Sequence, residues 1–228
     1  MNVDSYCERT DAGLWAEPLN AVSNGAFLLA AALLIWLLVG QRRTVPVSVW
    51  LLPILLGVVG LCSLSFHTFA TTVTGALDSL SILLFILVGV VVVTRWMWGV
   101  RWRWAWLAAP GFVLFAVGIT AAGSVIGGDG GLLGGYLPAL IVLVAFGLGV
   151  RFTATPAAAR YGSWLLGAAG VFAVSLTLRT LDEPLCAQVP IGTHFLWHCL
   201  NAVVLFLISY AVVRRWQDTV RPSARPGP

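Results

Sequence analysis

Apolar and polar positions along this 228-residue chain alternate in long blocks rather than in short periods. Seven apolar blocks run from about Asn20 to Gly40, Val47 to Phe69, Ala76 to Val93, Trp104 to Ala122, Tyr136 to Val150, Tyr161 to Leu178 and Thr193 to Val213. A helix rises about 1.5 Å per residue and needs roughly 20 apolar residues to cross the hydrocarbon core of a bilayer, so each block predicts one membrane-crossing helix. The pattern therefore predicts an all-α fold, a seven-transmembrane-helix bundle forming a single integral membrane domain over residues 1–228. Within it, residues 1–19 read as an external acidic segment, 20–213 as the seven helices, and 214–228 as a basic cytoplasmic tail. The Gly-rich stretch GGDGGLLGG, from Gly127, cannot sustain a helix and separates the fourth block from the fifth, and the closing RPSARPGP reads as disordered. No internal repeat and no separate soluble domain is visible.

Composition narrows the class. Hydrophobic residues make up 59% of the chain and charged residues 10%, with mean hydropathy +0.93. A soluble domain needs far more polar surface than this, which leaves an integral membrane protein. The first nineteen residues are acidic and lack the basic and apolar regions of a secretory signal, so the first apolar block is expected to be a retained helix. All thirteen basic residues are Arg, a usage that points to a GC-rich, bacterial coding genome and hence to a bacterial plasma membrane.

Charge sets the expected orientation. Arg42 and Arg43, then Arg95, Arg101 and Arg103, then Arg151 and Arg160, and finally Arg214, Arg215, Arg221 and Arg225 all fall on one side of a seven-helix chain. Only Arg9 and Arg179 fall on the other, together with Asp4, Glu8, Asp11, Glu17, Asp129, Asp182 and Glu183. The positive-inside rule makes the Arg-rich side cytoplasmic, with the N-terminus outside and the C-terminus inside. Trp96, Trp98, Trp102, Trp104 and Trp106, interleaved with Arg95, Arg101 and Arg103, read as an interfacial belt on that side and not as a nucleic-acid surface.

Ionisable residues at membrane depth are costly, so each is a candidate for function. The chain has three histidines. His67 lies near the end of the outward-running second block, and His194 and His198 open the inward-running seventh, so all three are expected at one depth in the outer half of the bilayer. His194 and His198 are four residues apart and share a helix face. With His67 they offer three nitrogens and an open fourth position, the donor set of a catalytic zinc. Ser63 is one turn before His67 and on its face. Asp78 is the one acid within the apolar blocks beyond the start of the first helix, and it falls at the same depth. Its carboxylate suits a general base and then acid, and Ser63 suits a donor to a developing oxyanion. The competing reading is a polar network that stiffens the bundle. Glu17, Asn20 and Asn24 form a stripe on the first helix that supports either the metal site or, as the favoured reading, contacts with neighbouring helices. Cys62 and Cys199 read as packing residues, with Cys199 turned about 100° from His198 on an ideal helix.

At these residues the sequence resembles the alkaline ceramidase family, within a superfamily that includes the adiponectin receptors. The resemblance is carried by S-x-x-x-H (Ser63 to His67 in CSLSFH), by the downstream acid (Asp78 in GALDSL) and by H-x-x-x-H (His194 to His198 in THFLWH). The N-terminal stretch YCERTDAGLWAEPLNAVSN also resembles the ceramidase branch, with its Ala-Glu-x-x-Asn-x-x-Ser-Asn run. The resemblance implies hydrolysis of the amide bond of ceramide or a similar N-acyl lipid to a fatty acid and an amine-bearing lipid. It implies zinc on His67, His194 and His198, water activation by Asp78 and carbonyl polarisation by Ser63. It also implies a calcium site near the N-terminus, for which Asp4, Glu8, Asp11 and Glu17 offer hard oxygens, although Ser5, Tyr6 and Thr10 stand where the family pattern has Asp, Trp and Asn. Cys7 and Cys186 both fall on the outer side, where oxidation is permitted, and the resemblance supports a bridge between them. A receptor-like or scaffold protein with a structural zinc is the competing function. A transporter finds little support in a chain with no repeat and few intramembrane charges.

Overall fold

The computed structural model describes residues 6–125 and 135–220. Asp4, the Gly-rich stretch with Asp129, and the closing RPSARPGP with Arg221 and Arg225 lie outside the described residues. What is described is helical, with no strand among those residues. The helices are α1 (Pro18–Ser23), α2 (Gly25–Val39), α3 (Val47–Phe69), α4 (Thr72–Trp98), α5 (Trp102–Ala105), α6 (Ala108–Val125), α7 (Leu137–Thr153), α8 (Pro156–Leu181) and α9 (His194–Val220). Among the described residues six spans are long and apolar enough to cross a membrane, and α7 is a shorter apolar helix. The protein is a multi-pass integral membrane protein built as a helical bundle.

Each expected block has its helix, and the differences lie at the ends. The first block is two helices, because the chain breaks at Asn24 between α1 and α2. A short turn, α5, precedes α6. α8 starts at Pro156, five residues before the apolar run, with proline in the first turn, where its missing N–H costs nothing. α9 continues past Val213 through Arg214 and Arg215 to Val220, so this stretch of the expected tail is helix. Trp216 is buried there, and Arg215 Nε donates to the carbonyl of Trp96 at 3.2 Å.

α9 is the hub, packing on α2, α3, α4 and α8. Its side chains Trp197, Val204, Leu205, Val212 and Trp216 join one core with Phe27, Leu34, Leu52, Leu56, Phe85, Leu165 and Phe172. Close approach is set by glycine at two places. A Cβ on Gly60 of α3 would stand 2.8 Å from Cβ of Phe27 on α2, and a Cβ on Gly162 of α8 would stand 2.6 Å from backbone atoms of α7. The ends of α3 and α9 that carry the histidines, and the start of α4, meet at one end of the bundle.

Candidate metal centre and lipid cavity

The segment before α1 folds over the histidine end and is held there by three devices. Cys7 is disulfide-bonded to Cys186, in the connection between α8 and α9. Glu8 accepts from the backbone N–H of Leu19 at 2.6 Å and of Asn20 at 2.8 Å, capping the otherwise unpaired donors of α1. Arg9 is buried, its Nε donating to Glu17 Oε1 at 2.5 Å. Its remaining nitrogens donate to the carbonyls of Asp11, Gly13 and His67 at 3.3, 3.4 and 3.5 Å.

The start of α9 is fixed from outside its own helix. Asp182, buried after α8, accepts from the backbone N–H of Thr193 at 2.6 Å and of His194 at 2.9 Å through Oδ1, and from Cys7 at 3.1 Å through Oδ2. A carboxylate at a helix N-terminus meets both the orphan donors and the positive end of the dipole. Gly192 makes room for it, because its φ is +68° and a Cβ would stand 2.3 Å from Asp182 Oδ1.

These supports bring the three histidines together. The ring centroids of His67 lie 5.2 Å from His194 and 4.6 Å from His198, and those of His194 and His198 are 4.7 Å apart. One ligand nitrogen from each falls within 4.8 Å of the others, and all three residues are buried. Hydrogen bonding orients two of the rings. Glu17 Oε2 lies 2.6 Å from His67 Nδ1, so that nitrogen carries the proton, and His67 Nε2 is buried without a hydrogen-bond partner among the described residues. Ser23 donates its one hydroxyl proton to the Asn20 carbonyl at 2.9 Å, so its oxygen accepts from His198 Nδ1 at 2.8 Å. His198 Nε2 is then the unprotonated nitrogen. His194 Nδ1 is also without a described partner, and its ring stacks on Tyr6 at 3.9 Å. Two rings held by outer hydrogen bonds with bare inner nitrogens are what a three-imidazole metal site requires. Burial would raise the Glu17 carboxyl, but hydrogen bonds from His67, Asn20 and Arg9 hold it below the usual carboxylate value, so it stays ionised.

The stripe of Glu17, Asn20 and Asn24 joins both readings from sequence, because its contact with a neighbouring helix falls on a histidine. Glu17 reaches His67 directly, while Asn20 donates to Glu17 at 3.0 Å and Asn24 to the Asn20 carbonyl at 2.7 Å. The same contacts bear on calcium. Arg9 sits among a carboxylate and three carbonyls, the oxygen ligands a hard cation would use, and already supplies their positive charge. Glu8 caps α1 with both oxygens, and Asp11 Oδ1 accepts from the Gly13 N–H at 2.5 Å. Among the described residues the three histidines form the one cluster suited to a metal, and Glu8, Asp11 and Glu17 do not gather around a common point. As placed here, Glu8, Asp11 and Glu17 do not fit calcium.

Around the histidines lies a polar cavity of about 170 Å³, lined by Ser63, Asp78, Ser79, Tyr6, Tyr136, Arg179 and Asn201 among others. Ser63 stands close enough to the Asp78 side chain to interact with it. Asp78 Oδ1 and Asn201 Oδ1 are buried without described partners. An apolar cavity of about 90 Å³ adjoins it, lined by Phe85, Val90, Phe112, Phe146, Leu165 and Leu205 among others. Ile82, Tyr136 and Asn201 line both, so the two cavities meet at that level. Sequence reasoning missed Tyr136, Asn201 and Arg179. Asn201 was within reach, since it follows His194 by seven residues and His198 by three, on one helix face. Tyr136, just before α7, and Arg179, in the last turn of α8, belong to segments with no motif of their own.

The fold and site together define a multi-pass membrane protein with a buried histidine centre opening onto an apolar cavity. A family model described as Ceramidase matches residues 5–221, nearly the whole chain, and the protein belongs to that family. Membership makes it a hydrolase of amide bonds whose substrate is a membrane lipid. No curated protein matches the chain significantly.

Proposed function

We propose that this protein is a zinc-dependent intramembrane amidase that cleaves the amide bond of ceramide or a similar N-acyl lipid. The observation that carries the reading is the convergence of His67, His194 and His198 beside Asp78 and Ser63 in one polar cavity that adjoins an apolar one. The bare Nε2 atoms of His67 and His198, with one nitrogen of His194, would hold zinc, the metal that suits three imidazoles and an open position. When bound, zinc supplies a Lewis acid that polarises a carbonyl and lowers the pKa of water.

The chain's own residues divide the remaining work. The apolar cavity takes an acyl chain, and the junction at Ile82, Tyr136 and Asn201 sets the amide at the level of the histidines. Asp78 takes a proton from the attacking water through its unpartnered Oδ1 and passes it to the leaving nitrogen as the C–N bond breaks. The water oxygen ends in the fatty acid, and the amine leaves protonated. Ser63 donates its hydroxyl proton toward the amide oxygen as charge develops there. Glu17 and Ser23 keep the protons of His67 and His198 on the outer nitrogens. Phe66 and Trp197 add apolar rings to the lining of the cavity, and a less polar surrounding strengthens each of these interactions. A purely structural metal would leave the buried Asp78 Oδ1 with no task. The charge asymmetry supports a histidine end outside the cell, in the outer half of a bacterial plasma membrane, with residues 1–228 acting as one domain.

Purified protein incubated with a panel of N-acyl lipids tests this by fatty acid release. Asp78→Asn is expected to lower turnover by about 10²–10⁴-fold while zinc content is retained. No release from any amide or ester lipid by zinc-loaded wild-type protein would end the proposal.

A further inference from the structure

One charged group in the polar cavity has no part in the proposed reaction. Arg179, near the end of α8, lines that cavity with Asp78, His194 and His198. Its guanidinium lies over the Tyr136 ring at 5.3 Å and the Trp197 ring at 5.7 Å. Among the described residues its side chain makes no ion pair and no hydrogen bond, whereas Arg9, the other arginine at this end, is neutralised by Glu17. No hydrogen bond occupies its N–H donors, the donors that meet carboxylate and phosphate oxygens in pairs. The Asp78 carboxylate across the cavity feels this charge but forms no ion pair with it, which leaves a half-buried cation with idle donors free to take an anion beside a substrate cavity.

The helices say where along a bound lipid that anion lies. From the middle of the bundle toward the histidine end, α9 presents Ile208, Leu205 and Val204, then Asn201, then His198 and His194. α4 presents Val93, Val90 and Phe85, then Ile82, then Asp78. α8 presents Leu165 and Phe172 in the apolar part and Arg179 two turns further on, roughly 10 Å by helical rise. With an acyl chain in the apolar part and its amide beside Asp78, the amine-bearing half points toward Arg179.

We propose that Arg179 reads the headgroup, and that the preferred substrates are N-acyl lipids whose amine portion carries a carboxylate or phosphate a few bonds from the amide nitrogen. This rests on the amidase reading of the same cavity. Arg179 is a specificity residue and takes no part in bond making or breaking.

Three amides with one palmitoyl chain and a two-carbon amine portion separate the alternatives: N-palmitoylethanolamine, its phosphate ester, and N-palmitoylglycine. Binding is measured on metal-stripped protein, so that attraction to a metal does not contribute, and hydrolysis on zinc-loaded protein. At least one anionic amide is expected to bind wild type about 10–100-fold tighter than the neutral one, the range of a charge-assisted pair. The preferred anion names the headgroup. Arg179→Gln is expected to collapse that ratio, and Arg179→Lys to retain part of it. Equal binding of all three, or a preference that survives Arg179→Gln, overturns the proposal. Free palmitate bound as tightly as the anionic amides, with the same dependence on Arg179, also overturns it, because the arginine would then read the product. A binding preference with no hydrolysis of any of the three removes the amidase reading and leaves the anion site standing.

Discussion

Two membrane spans of nearly equal apolarity end in opposite surroundings. The span that ends in α6 has mean hydropathy 1.8 and α9 has 2.0, yet 11% of the first apolar stretch is buried against 56% of the second. The difference lies in their polar residues. α9 buries His194, His198, Asn201, Ser209 and Gln217, while α6 turns Val113, Leu114 and Val117 outward. In water, apolar residues seek the inside. In lipid, both sides of a helix are apolar, so position is decided by polar groups that need partners and by small residues that allow close contact. Hydropathy therefore finds the spans without ranking them.

If polar function is what draws α9 to the centre, the supports behind its metal ligands should matter as much as the ligands. Glu17→Gln keeps the shape of the side chain and removes the charge that holds the Nδ1 proton of His67. Metal affinity is expected to fall by about 10–100-fold, read by chelator competition on purified protein. Unchanged affinity would mean that the 2.6 Å contact with His67 orients nothing.

The same contrast explains how much was legible in the sequence. The spans were legible because lipid demands about 20 apolar residues whatever their neighbours. The three histidines were legible as a set, because three imidazoles at one depth with two of them four residues apart suit a metal, whereas a single one more often serves packing. The link from Glu17 to His67 was hidden, since fifty residues separate them and only the break at Asn24 and the clamp on Cys7, Glu8 and Arg9 bring α1 onto α3. Calcium was expected from the family resemblance, and nothing in that pattern reveals that Arg9 binds Glu17 and the carbonyls of Asp11, Gly13 and His67. Arg179 is likewise one residue of a charge tally until Tyr136 and Trp197 hold it against the cavity.

Packing sharpens the comparison with a smaller effect. A Cβ on Gly162 of α8 would stand 2.6 Å from Arg151 N and from Gly147 O, backbone atoms of α7 that cannot turn aside. Gly162→Ala must push α7 from α8, and is expected to cost on the order of 1 kcal/mol or somewhat more, the usual range for overpacking. A lower thermal midpoint in detergent checks it.

The matched change on α6 should have the opposite sign. Gly118 sits mid-helix, and a Cβ there would meet nothing within 4 Å. Alanine then fills no contested space and gains the backbone preference of alanine over glycine within a helix, about 0.5–1 kcal/mol. Gly118→Ala is expected to leave turnover unchanged and to raise the thermal midpoint slightly, where Gly162→Ala lowers it. Equal losses from both would mean that α6 packs against a partner surface after all, and its exposure to lipid would no longer explain why so apolar a span stays at the edge.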